Sequence, residues 1–412
     1  MRLSRSLRVM AFAVPVAALI LACNAEAAPK YKVLYSFGVS SNDANSPQAP
    51  VIIDPKGNLF GTAGGGANYV GTVYKLARTR SGWVESVLHS FCYNCGDGYG
   101  LQAGLTLDAS GNLYGTTVRG GAHDYGTAFE LAHGPSGWTE TILHSFCGSG
   151  NDGCQPYSNL IFDAAGNLYG TTAGGLTSYG TVFELSPGSG GWTETTLYGF
   201  QGGSDGYEPF AGLTWDKSGN LYGTTYMGGA YQGGTVYELK HSLGGAWKKR
   251  TLLSFNQNKN GGQTPSGGVI FDKVGNLYGT TGLGGPNICF GEHGCGIVYK
   301  LSPDRHGGWK ETRIHDFAEN AGGFNPVGVV MDSTGNLYGV TGTGGHTSCG
   351  CGTIFKLAPR PHGKWKYTVL FAFHGTDGGA PNGLTLDGKG HIYGTTFGGG
   401  AYGGGVVFEL TP

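Results

Sequence analysis

Charge is scarce in this chain. Lys, Arg, Asp and Glu make up 13% of its 412 residues, and 26 basic against 27 acidic residues leave a net charge of −1. Without a basic field there is little to neutralise a phosphate backbone, so nucleic acid is not an expected partner. Stretches rich in Ala, Leu, Glu, Lys and Arg are also missing, which argues against a helical protein. Long apolar segments are limited to one 14-residue run, Val9 to Ala22. That is too short to cross a bilayer of roughly 30 Å as a helix, and no second run follows. What abounds is glycine, 81 residues with 17 Pro, beside an aromatic content of 12% and a hydrophobic content of 39%. The aromatics exclude a disordered low-complexity chain. The glycine points to many short strands joined by tight turns, an all-β protein.

Arg2, Arg5 and Arg8 precede the apolar run, the pattern of a signal peptide over residues 1–27. Ala25-Glu26-Ala27 before Ala28 fits the small-x-small cleavage rule. Ile20-Leu21-Ala22-Cys23 resembles a lipobox, in which cleavage would fall before Cys23 and lipidate it. Both routes lead out of the cytoplasm, to a periplasmic, outer-membrane-associated or extracellular location. The eight remaining cysteines form local pairs: Cys92/Cys95, Cys147/Cys154, Cys289/Cys295 and Cys349/Cys351. In an exported chain such pairs are expected as disulfides, each stabilising by ~2–3 kcal/mol. Cys349-Gly350-Cys351 is the demanding one, because a single intervening residue strains the bond. Zinc is not expected at these loops, even with His293 beside the third pair. Each loop supplies two thiols where a structural site needs four ligands.

One phrase, Asp-x-x-Gly-Asn-Leu-Tyr-Gly-Thr-Thr, recurs with small changes from Asp54, Asp108, Asp163, Asp216, Asp272, Asp332 and Asp387, about 55 residues apart. Each unit reads as four strands. In the second copy these are Gly104 to Asp108, Asn112 to Thr117, Gly126 to Leu131 and Trp138 to Phe146. The turn between the first two needs a left-handed residue, which Gly111 and its equivalents supply, and the leading Asp can bond the turn's backbone N–H groups. Four strands repeated seven times around a ring make a seven-bladed β-propeller. The last unit lacks a fourth strand, and Tyr31 to Phe37 (YKVLYSF) matches the missing pattern. An N-terminal strand should therefore close the last blade, hiding two edges. Residues 28–412 form a single domain, expected as a monomer.

The combination DGxxPxAGLxxDxxGNLYGTTxxGG…GTVFEL…LHSF resembles the Gloeobacter/Verrucomicrobia-type tandem repeat of exported bacterial "choice-of-anchor" proteins, over about residues 31–412. The resemblance implies export and a propeller of repeats, and it implies no established activity. The pattern of the first two strands is also similar to NHL-type, lyase and lactonase propellers.

Several motifs invite a chemical reading. Asp43, Asp97, Asp152, Asp205 and Asp377 recur before the first strand of a unit; they read as turn caps, too far apart to share calcium. Gly202-Gly203-Ser204-Asp205-Gly206 has the letters of a nucleophile elbow without the strand and helix that elbow requires. His89, His144 and His315 occupy one register of separate outer strands, where ligands cannot converge. The fourth and fifth residues before each repeat Asp should line the channel mouth, and neither ring contains His, Asp, Glu or Lys. General acid–base catalysis needs a titratable group there. Glu208 and Glu292 are the nearest, each alone. No catalytic residue, metal or cofactor is expected.

Aromatics are more suggestive. Tyr69, Tyr125, Tyr179, Tyr231, Phe290 and Tyr402 lie between the second and third strands. Tyr99, Tyr157, Tyr207, Phe210 and Phe324 precede the first strand. Both loop sets should open on one face, where Tyr99, Tyr125, Tyr179 and Tyr207 are the expected ligand contacts for stacking on a glycan or a protein. The resulting expectation is an exported, non-catalytic binding or cell-envelope module, with a channel-mouth hydrolase or lyase as the alternative.

Overall fold

The computed structural model describes residues 28–93, 95–242, 245–256, 261–289, 293–319, 322–345 and 348–412. Residues 1–27, including Cys23 and expected as a signal peptide, together with Phe290 and Glu292, lie outside the described residues.

Seven four-stranded antiparallel sheets follow one another as the blades of a propeller. Blades 1 to 6 occupy residues 52–90, 106–145, 161–199, 214–256, 270–316 and 324–372. Blade 7 is built from Gly379–Leu386, Ile392–Gly398 and Val406–Thr411, and its outermost strand is Lys30–Ser36. Tyr31 lies opposite Leu410 and Ser36 opposite Val406, so the two ends of the chain close the ring as the repeat frame requires.

Each repeat Asp organises its hairpin as expected. In blade 2, Asp108 Oδ1 accepts the N–H groups of Ser110 and Asn112, and Oδ2 accepts the Asn112 side-chain amide at 3.0 Å. Blade 7 substitutes His391, whose Nδ1 meets Asp387 Oδ2 at 2.7 Å. In blades 1 to 5 the innermost strand is only two residues long, in blade 2 Thr106–Leu107 in place of residues 104–108. In blades 6 and 7 it runs over Phe324–Met331 and Gly379–Leu386. The inner end of each short strand bonds across to the neighbouring blade instead of along its own ladder. Thr62 Oγ1 donates to the Ala103 carbonyl at 2.8 Å, and Thr116 Oγ1 to Ser158 at 3.1 Å.

The core lies between blades. Each strand-four Phe (37, 91, 146, 200, 255, 317 and 373) is at most 1% exposed. Each meets the strand-three aromatic of the next blade, as Phe91 meets Phe129 at 5.1 Å and Phe200 meets Tyr237 at 5.2 Å. Burying one such ring is worth ~1.5–3 kcal/mol, and the tilted ring geometry adds to it. The far end of the strand-three ring sits against the glycine of Leu-Tyr-Gly-Thr-Thr. A Cβ on Gly115 would stand 2.6 Å from Phe129 Cζ, and one on Gly223 2.4 Å from the Tyr237 hydroxyl. That glycine is required by packing, not by its backbone angles.

A second ring of contacts fixes the blade spacing. Ser46, Gly100, Gln155, Glu208, Thr264, Asn325 and Ala380 all have φ between 52° and 72°. Each donates its N–H to the preceding blade, for example Gln155 to the Tyr125 carbonyl at 2.8 Å and Ser46 to Gly404 at 2.8 Å. Six of the seven are non-glycine residues followed by Pro. A left-handed non-glycine residue costs on the order of 1–3 kcal/mol, which the blade-to-blade bond and the proline contact offset. Pro156, for instance, sits over Gly126 (φ +100°), where a Cβ would be 2.8 Å from its ring.

Disulfides join all four local pairs, with Cα separations of 5.8 Å for Cys92–Cys95, 4.8 Å for Cys147–Cys154, 5.0 Å for Cys289–Cys295 and 5.2 Å for Cys349–Cys351. Such a set fits an exported protein in an oxidising compartment. Among the described residues no helix is long and apolar enough to cross a membrane.

Two outcomes are expected. Deleting residues 29–38 should open the ring and cost more than the about 3–5 kcal/mol of removing one buried Phe; an unchanged melting temperature would refute closure. The hydroxyls of Tyr74, Tyr237 and Tyr299 are buried without a hydrogen-bond partner, where other blades carry Phe. Tyr237→Phe should therefore leave stability unchanged or raise it by about 1 kcal/mol, measured by urea unfolding.

Candidate functional site

A cavity of about 520 Å³ opens at the channel mouth, lined by all seven blades. The positions four and five before each repeat Asp do line it, among them Asn159 and Asn382. The sixth position adds Gln48, Gln102, Tyr157 and Phe210. His, Asp, Glu, Lys and Arg are all absent from this lining among the described residues. The wall is uneven. Tyr157 and Phe210 meet edge to face at 5.0 Å, and Phe210 meets Tyr226 at 5.4 Å, so aromatic surface gathers on blades 3 and 4. The polar side chains of the lining are amides and the hydroxyl-bearing Ser158, Ser266, Thr214, Tyr157 and Tyr338.

The two loop sets share one face, as Gly98–Tyr99 pairing with Arg119–Gly120 demonstrates. Tyr125 and Tyr179 are 44% and 60% exposed, and Tyr69, Tyr231 and Tyr402 project from the same loop in other blades. Tyr179 and Tyr207 come together with ring centroids 6.1 Å apart. Tyr99 is half-buried; its hydroxyl donates to Asp124 Oδ1 at 3.0 Å, and its ring packs on Tyr93 at 5.1 Å. Among the described residues no ring contact joins Tyr125 to Tyr99 or Tyr179. The four tyrosines thus stand as one pair and two separate rings. Glu208 sits within the Tyr179–Tyr207 loop, its N–H bonded to the Tyr179 carbonyl. Gly203–Asp205 is a single 3-10 turn rather than a nucleophile elbow.

Charged groups gather instead at the outer rim, between blades. Four of the five turn aspartates pair with a residue of the preceding outer strand: Asp43 with Tyr35, Asp97 with His89, Asp152 with His144 and Asp205 with Tyr198. Asp377 pairs with His374 in the turn itself, at 3.1 Å. A third group arrives from the next blade, always opposite the strand-three Leu. It is Glu85 opposite Leu76, Glu140 opposite Leu131, Glu194 opposite Leu185 and Lys249 opposite Leu239. Sequence reading compared His89 with His144 and His315 and missed this convergence, because the partners occupy non-equivalent positions of adjacent units. His315 has a different setting: its ring stacks on Tyr367 at 4.0 Å, and burial pulls it down to about 4.

Burial first, then the neighbouring Asp43 carboxylate, pushes Glu85 up from 4.5 to about 8. Burial and then Asp97 likewise push Glu140 up to about 7. Below pH 4.5 Glu85 is protonated in both folded and unfolded chains. Between 4.5 and 8 only the unfolded chain releases the proton, so this group's contribution to stability declines with rising pH and is lost above about 8. Glu85→Gln should flatten that part of the profile, measured as unfolding free energy at pH 5, 6.5 and 8.5. A variant with the wild-type slope would show that Glu85 does not titrate in this way.

The backbone is similar to two solved enzymes. A luciferin-regenerating enzyme matches at 12% identity with a TM-score of 0.44, over 93% of this chain and 95% of that one. An ancestral GH74 enzyme matches at 12% identity with a TM-score of 0.51, over 90% of this chain and 51% of that one, so the chain spans about half its length. Likeness at this identity is one of fold alone. No curated protein sequence matches the chain. The Gloeobacter/Verrucomicrobia repeat model matches three times, over residues 22–149, 134–289 and 289–412. With its whole propeller spanned by those three matches, the chain belongs to the Gloeobacter/Verrucomicrobia repeat family.

Proposed function

We propose that this protein is an exported, non-catalytic binding module, delivered by the segment 1–27 and acting as a monomer, that takes an uncharged glycan at its channel mouth. The observation that carries the reading is the cavity lining: seven blades contribute to it, with amides and aromatic rings among small and aliphatic residues and no acidic or basic side chain among the described residues. Amides such as Gln48, Gln102, Asn159 and Asn382 exchange hydrogen bonds with hydroxyl groups, and ring faces such as Tyr157 and Phe210 suit the apolar faces of sugars. The exposed Tyr179 and the half-buried Tyr207 extend the same aromatic sector outward along blades 3 and 4, giving a longer chain further contacts. A peptide is the other ligand compatible with this face. Release by cleavage at Ala27 or retention through a lipid on Cys23 would decide whether the module diffuses or stays at the envelope.

The test is a screen of neutral and acidic oligosaccharides and of peptides against the mature protein, followed by calorimetry. Neutral glycans should be retained. Removing an aromatic anchor typically costs ~2 kcal/mol of binding, about thirtyfold in affinity, so Tyr157→Ala and Phe210→Ala should each weaken a hit by that factor. Retention of peptides alone, or full affinity in both variants, would overturn the glycan reading.

A further inference from the structure

We infer that the boundary between blades 1 and 2 is a site for one divalent transition metal, with His89, Asp97 and Glu140 as its ligands and zinc as the ion that fits. One donor atom from each residue lies within 4.8 Å of the other two. His89 Nε2 and Asp97 Oδ2 are already 3.0 Å apart. Zinc holds imidazole nitrogen and carboxylate oxygen at 2.0–2.2 Å, which sets tetrahedral ligands roughly 3.3 Å from one another. Small adjustments of Glu140 would complete three protein ligands, leaving a fourth position for water. Two carboxylates and a neutral imidazole balance the charge of the ion.

The repeat itself supplies an independent observation. The corresponding pocket between blades 3 and 4 has Tyr198 for His89, Phe200 for Phe91, Asp205 for Asp97 and Lys249 for Glu140. There a cation is built in. Lys249 Nζ lies 2.8 Å from Asp205 Oδ1 and 2.6 Å from the Asp205 carbonyl, facing the Phe200 ring at 5.5 Å, and its side chain is only 4% exposed. Between blades 1 and 2 the lysine is replaced by a third potential ligand, and the position of its ammonium is left to a mobile ion. Glu140 Oε1 there is shielded from solvent and has no hydrogen-bond partner.

The ligands are also held from behind, as metal ligands usually are. Asp97 Oδ1 accepts the Gly98 N–H at 2.8 Å, and the His89 ring stands edge-on to buried Phe91 at 4.5 Å. The Cys92–Cys95 disulfide ties the turn that separates His89 from Asp97. The boundary of blades 2 and 3 carries the same residue types in His144, Asp152 and Glu194, but among the described residues only His89, Asp97 and Glu140 bring three such donors within 4.8 Å of one another. Glu85 Oε1 accepts the Ala44 N–H beside a tyrosine, and Glu194 Oε1 accepts the Thr196 hydroxyl at 3.0 Å. A metal here would clamp two blades through groups from both, stabilising the folded chain as any ligand of the native state does.

The experiment uses the mature chain with its disulfides intact, stripped with a chelator and titrated with zinc chloride by calorimetry and thermal melting. One zinc per chain should bind and raise the melting temperature, and Glu140→Gln should weaken binding by about tenfold or more. Glu140→Lys, which copies the boundary of blades 3 and 4, should bind no zinc at this site and melt at a zinc-independent temperature. His89→Tyr copies the same boundary from the other side, and it serves if the lysine variant does not fold. Absence of saturable zinc uptake by the wild type would overturn the inference. So would wild-type stoichiometry and affinity in whichever variant folds.

Discussion

The structure depends on one interlock, a buried phenylalanine at the end of each outer strand pressed against the strand-three ring of the following blade. That ring can lie where it does only because the strand-two residue beneath it is glycine. A methyl group in that slot at Gly115 would stand 2.6 Å from Phe129 Cζ, so the ring and its fit to the neighbouring blade would have to shift. The left-handed residues and their prolines then set the same spacing nearer the channel through backbone bonds. Inner and outer fastenings repeat at every boundary, so channel width and rim geometry follow from a single pairwise fit.

Much of this was legible because it is local. The Asp-x-x-Gly hairpins, the cysteine pairs and the displaced closing strand each declare themselves within a few residues, and repetition separates them from coincidence. The glycine in Leu-Tyr-Gly-Thr-Thr was visible without its reason, since the ring that excludes a side chain comes from the next strand. The short inner strands of blades 1 to 5 were not foreseen, because carbonyls such as that of Ala103 bond to threonines of a neighbouring unit. The amides of Gln48 and Gln102 lie one position beyond the two rings selected as channel lining. The rim trios were hardest to see. Glu140 lies 43 residues beyond Asp97 in the next unit, and aligning the copies places it beside Glu85 and Glu194 rather than beside its actual neighbours.

The propeller thereby separates two chemistries. Its channel mouth is uncharged and aromatic, the surface from which the binding proposal is drawn. Its rim holds carboxylates, imidazoles and one buried ammonium at boundaries whose frame is constant. A frame held by Phe, Gly and left-handed turns leaves the rim position free to differ, and it is occupied by Glu, Lys or Tyr in different blades. Variation among the copies is therefore informative about each pocket, with neighbouring boundaries acting as internal controls.

The closing strand makes the seventh blade the one sheet shared between distant parts of the chain, Lys30–Ser36 pairing with Val406–Thr411. Every unit between the ends contributes three strands to one sheet and completes that sheet with its own fourth, while the first strand of the chain completes the last sheet whatever lies between. An unequal crossover that removes or duplicates a whole unit would preserve this joint, because the donor strand and its acceptor edge stay at the two termini. Copy number can then change in one genetic event without a new closure having to evolve, and the channel radius would change with it.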